Sequence, residues 1–76
     1  MEELIKILHE LDPNVDFSTE NNLVEKHILD SLSIVMLVSD LEEAFDVEIT
    51  PIDIVPENFQ SAGAIYAMIT RLQKKE

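Results

Sequence analysis

Residues 30–46 read Asp-Ser-Leu-Ser-Ile-Val-Met-Leu-Val-Ser-Asp-Leu-Glu-Glu-Ala-Phe-Asp, and this stretch decides the fold. Ile34, Leu37, Val38, Leu41 and Phe45 recur at i, i+3, i+4, i+7 and i+11, the stripe that one face of a helix buries. Asp30 is a suitable N-cap, so the spacing predicts a helix from about Ser31 to Phe45. At about 1.5 Å per residue such a helix is roughly 22 Å long, enough to cross a small domain. Its opposite face carries Leu32, Met36, Ser39, Asp40 and Glu43.

The same periodicity appears on both sides. Leu4, Ile5, Leu8 and Leu11 share one face and predict a first helix from about Glu2 to Leu11. Asp12-Pro13-Asn14 stops it, because the residue before a proline resists the helical region. Residues 12–30 then form a long polar loop, with Val15, Phe17, Leu23, Val24, Ile28 and Leu29 as its expected anchors. A loop of that length in a small domain is pinned by its own apolar contacts or carries function. Beyond the central helix and Asp46, the spacing predicts an extended stretch over Val47, Glu48 and Ile49. Thr50-Pro51 reads as an N-cap followed by proline at the first helical position, opening a short turn with Ile52, Ile54 and Val55 that Pro56 ends. Ser61 is the expected N-cap of a last helix, whose stripe is Ile65, Met68, Ile69 and Leu72 and whose end carries Lys74 and Lys75. Strand signals are too short to pair. The expectation is an all-α fold: a four-helix bundle of three main helices plus one short one, forming a single domain over 1–76.

Composition narrows the function. Lys plus Arg number 5 against 16 Asp plus Glu, a formal net charge of −11, which repels nucleic acid and anionic membranes and attracts basic protein surfaces. Between Lys26 and Arg71 there is no Lys or Arg, while Asp30, Asp40, Glu42, Glu43, Asp46, Glu48, Asp53 and Glu57 lie there. Basic grooves on partners would be steered toward that acidic stretch. The chain has no cysteine, which removes disulfides, thiol nucleophiles and Cys-based metal sites. Residues 1–11 lack the basic segment and apolar run of a secretory leader, and no apolar run approaches a membrane span. A cytoplasmic monomer is the expectation.

Ser31 is the one residue placed for chemistry. A serine in the first helical turn has an accessible hydroxyl, and the free N–H groups and helix dipole there favour an anion such as phosphate. Read as one string, Leu23-x-x-x-His27-Ile28-Leu29-Asp30-Ser31-Leu32 is followed by Val35, Leu37-Val38, Leu41-Glu42-Glu43 and Phe45-Asp46-Val47-Glu48-Ile49. That string resembles the acyl carrier protein superfamily, most closely over residues 23–49, with helix lengths extending the likeness to nearly the whole chain.

The resemblance implies that a phosphopantetheinyl transferase esterifies Ser31 with phosphopantetheine, flanked by Asp30 and Leu32. The arm's thiol would carry an acyl or aminoacyl group as a thioester, which suits a chain with no thiol of its own. It further implies a protein that catalyses nothing and docks in turn on a loading enzyme and on acyl-transferring enzymes. Leu32, Met36, Ser39, Asp40 and Glu43 are the expected docking residues. Two departures stand out. The superfamily usually has a glycine near His27, and it commonly has an acid near 33 or 36, where this chain has Ser33 and Met36; docking beside the arm should be more apolar than usual. The segment Ile49-Thr50-Pro51-x-x-Ile54, with Asn58-Phe59-x-Ser61, looks more like D-alanyl and freestanding peptide-synthetase-like carriers than like fatty-acid-synthesis carriers.

Other classes fit less well. A serine hydrolase needs a positioned base and an oxyanion site, and only His9 and His27 are available, with no Gly-x-Ser-x-Gly elbow. A calcium sensor needs Asp-x-Asp-x-Asp-Gly spacing, whereas the one glycine is Gly63, in the last helix. Gly63 there either permits close helix packing or lowers helix propensity. An acidic adaptor of the same fold, never phosphopantetheinylated, is the remaining alternative.

Overall fold

A computed structural model describes residues 2–74; Met1 and Lys75, with Glu76, lie outside the described residues. Four helices follow one another: α1 (Glu2–Leu11), α2 (Ser31–Phe45), α3 (Pro56–Phe59) and α4 (Ala62–Lys74), and the described residues contain no strand. Helix α1 packs against α2 and α4, and α3 packs against α4.

The predicted stripes make the core. Leu4 and Leu8 of α1, Leu37 and Leu41 of α2, and Ile65, Met68 and Ile69 of α4 are buried. Ile34, Val38 and Phe45 flank them, half-buried. Ser61 caps α4 as expected, its Oγ accepting from the Ala64 N–H at 3.0 Å.

The long loop is pinned by its own apolar residues. Phe17, Leu23 and Leu29 enter the core, and Val15, Val24 and Ile28 pack against its edge. Two Asx turns shape its start: Asp12 accepts from the Asn14 N–H at 3.1 Å, and Asp16 accepts from the N–H and hydroxyl of Ser18. The Ser18 hydroxyl, then its N–H, holds the exposed Asp16 carboxyl below its usual range. Farther on, the Lys26 N–H donates to Asn22 O at 2.9 Å, and the turn ends at His27 with φ 59°, a left-handed conformation.

The short helix lies one turn later than the sequence suggests. Residues 50–53 form a hydrogen-bonded turn instead: Asp53 N–H donates to Thr50 O at 2.9 Å, and the Asp53 carboxylate accepts from both the N–H and hydroxyl of Thr50. Thr50 is thus drawn into a turn and caps no helix. Pro56 starts α3 rather than ending a helix, because its fixed φ and missing N–H suit the first helical position. A four-residue helix has no stability of its own, so its place is set by Phe59, which is fully buried. Phe59 is therefore core.

Gly63 does not serve close packing. It is exposed, and a Cβ added there would meet only Ser61 Oγ, at 3.8 Å.

Candidate functional site

The entrance to α2 is built by local hydrogen bonding. Asp30 is extended, with φ −96° and ψ −178°, and its Oδ1 accepts from the Ser33 N–H at 2.8 Å. The Ile34 N–H donates to Asp30 O at 2.9 Å, closing the first helical turn. Hydrogen bonding from the Ser33 backbone, and then from the Ser33 hydroxyl, holds the Asp30 carboxyl below its usual range, so the cap stays charged.

Ser31 occupies the first helical position and is exposed. Its own N–H and that of Leu32 have, by position, no carbonyl partner within the helix. The Asp30 carboxylate is turned to the third helical residue, Ser33. A hydroxyl in the open at a positive helix end, among the first-turn amides, is a place where a phosphoester can form and be held.

The α2 surface next to Ser31 is apolar. Leu32 is 70% exposed, Val35 63% and Met36 53%, so three large side chains a turn apart face solvent. Sequence reasoning named Leu32 and Met36 and missed Val35; the run Ile34-Val35 is apolar on both faces, and burial of one residue does not reveal its neighbour's exposure. Ser39, Asp40 and Glu43 are exposed as expected. Asp40 and Glu43 line an open groove with Glu2, Glu3 and Glu10 of α1, which also holds Lys6. The outer face of α2 is therefore apolar near the hydroxyl and acidic at its far end. Among the described residues no group of three His, Asp or Glu side chains is placed to hold a metal.

Comparison with known proteins agrees with this geometry. A family model described as a phosphopantetheine attachment site matches residues 1–69. A D-alanyl carrier protein of Lactococcus lactis subsp. cremoris strain MG1363 is 32% identical over 76 residues, covering 97% of this chain and 92% of that protein. The protein of the same name in strain SK11 matches equally, and that of L. lactis subsp. lactis strain IL1403 is 38% identical over 55 residues, 72% of this chain and 66% of its own. No solved structure matches the chain. A match over nearly the whole helical bundle, containing the exposed serine of α2, shows that this chain belongs to the phosphopantetheine-attachment family, as a carrier that bears an acyl or aminoacyl group on a phosphopantetheine arm.

Proposed function

We propose that Ser31 Oγ is the attachment point of the arm and that the cargo is an aminoacyl group, D-alanine being the one named for the similar proteins. The observation that carries this reading is the exposed hydroxyl at the first position of α2, directly after its charged cap. The residues fit the group: the hydroxyl is uncovered, the Ser31 and Leu32 amides can face the phosphate, and Asp30 fixes the turn that presents them. When attached, the arm supplies the thiol on which the cargo is held as a thioester, a group the cysteine-free chain lacks.

The chain acts as one carrier unit over 1–76, a cytoplasmic monomer without catalytic residues of its own. No helix among the described residues is long and apolar enough to cross a membrane. Its partners are a phosphopantetheinyl transferase, an adenylating loading enzyme and downstream acyl-transferring enzymes. Leu32, Val35 and Met36 would enter an apolar recess on each, while basic residues of the partner meet Asp40 and Glu43, with Ser39 between. Carriage raises the cargo's effective concentration at each enzyme in turn.

Incubation with coenzyme A and a promiscuous transferase should add the mass of one phosphopantetheine, and Ser31→Ala should abolish the addition. An unmodified wild-type chain would leave the acidic adaptor as the reading of this protein. Loading the modified protein with adenylating enzymes, D-alanine competing against fatty acids, then decides the cargo; preference for a fatty acid overturns the aminoacyl assignment.

A further inference from the structure

The loop that delivers the chain to Ser31 is held from the junction of α3 and α4. Gln60, the residue that follows α3, accepts twice: its backbone O from the Leu23 N–H at 2.9 Å, and its side-chain Oε1 from the Val24 N–H at 3.2 Å. Leu23 O in turn accepts from the Leu29 N–H at 3.0 Å, two residues before Ser31. The intervening chain reverses through left-handed His27. Leu23 and Leu29 are both buried, so the apolar contacts fix where the loop lies and the hydrogen bonds fix its register.

We infer that the Gln60 side chain is a positioning residue for Ser31. It acts through Leu23, Val24 and Leu29 to keep the approach to α2 in the one conformation that presents Ser31 to the transferase. This rests on Ser31 being the modified residue. The physical argument is a population argument. Without the amide acceptor the Val24 N–H is left half-buried and unpaired, and the loop spends more time in registers where the α2 entrance is altered. A partner that recognises one conformation then binds with an apparent constant raised by the reciprocal of the competent fraction, while turnover of the bound complex is unchanged.

The test compares Gln60→Ala and Gln60→Glu, the latter retaining side-chain oxygens that can accept, with a buried-core control, Ile69→Val. All are assayed as full chains with coenzyme A and a promiscuous transferase, at a temperature where circular dichroism shows each folded. Gln60→Ala should raise the KM for the carrier with kcat unchanged, by less than the roughly fivefold that one net hydrogen bond carries, because the competent fraction falls by less than the closing constant does. Gln60→Glu should restore most of it, and Ile69→Val should leave KM at the wild-type value. A second readout is independent of modification. Amide hydrogen exchange at Leu29, which makes no bond to Gln60, should accelerate by the full factor of about five in Gln60→Ala and not in Ile69→Val. An unchanged KM, unchanged Leu29 exchange, or an equal effect from Ile69→Val would overturn the inference. Failure of wild-type modification would instead strike the assignment of Ser31, and the exchange measurement would still report on the Gln60 hydrogen bonds.

Discussion

His27 is a non-glycine residue at φ 59°, exposed, at the reversal that leads into α2. An L-residue in that region crowds its Cβ against the backbone at a cost of roughly 1–2 kcal/mol, which glycine avoids. Glycine gives back about 0.4–1 kcal/mol through the greater freedom of its unfolded chain. The exposed imidazole contributes little packing, so the balance is a gain: His27→Gly should stabilise the fold by about 0.5 kcal/mol. His27→Val should go the other way by about 1 kcal/mol, since a β-branched side chain tolerates positive φ worst. The chain has no tryptophan and one tyrosine, so urea unfolding is best followed by helical circular dichroism. With a slope near 1 kcal/mol/M for so small a chain, the glycine variant should raise the midpoint by about 0.5 M. A valine variant as stable as wild type, or a glycine variant less stable, would refute the left-handed reversal. The result also bears on function, because the superfamily that the chain resembles usually places glycine near this point.

Phe59→Ala should cost about 3–5 kcal/mol, because the ring is fully buried and is the core anchor of a four-residue helix. Against the roughly 4–11 kcal/mol available to 76 residues, that should leave the protein partly unfolded at room temperature by circular dichroism; a loss under about 1 kcal/mol would contradict the core role. Gly63→Ala should add about 0.5 kcal/mol and raise the melting temperature by about 2–4 °C, and a fall would mean a close approach at that position. Asp30→Ala should be destabilising at neutral pH and progressively less so in acid. The folded carboxyl lies below its unfolded value, so its contribution is complete above the ordinary carboxylate range near pH 4 and is lost as pH falls through the folded value. A wild-type-minus-variant difference that stays constant from pH 7 down to pH 2 would refute the charged cap.

Features that depend on local spacing are legible in the chain without its fold. The stripes of α1, α2 and α4 are legible because burial of one face requires apolar residues every three or four positions, and that requirement needs no knowledge of the partner surface. The caps Asp30 and Ser61 are legible for the same reason, since each bonds an amide three residues on. Ser31 could therefore be placed at a helix entrance from the sequence alone. The third helix could not. Thr50-Pro51 reads as a start and Pro56 as a stop, but a proline suits the first helical position equally, and tertiary packing reversed the reading by drawing Thr50 into a turn on Asp53 and burying Phe59. Packing alone also decided that Val35 faces water, that Asp40 and Glu43 share a groove with α1, that His27 turns left-handed, and that Gln60 holds the loop before Ser31. Each of these joins residues far apart in the chain or depends on how a whole loop closes. No short window of sequence carries that information.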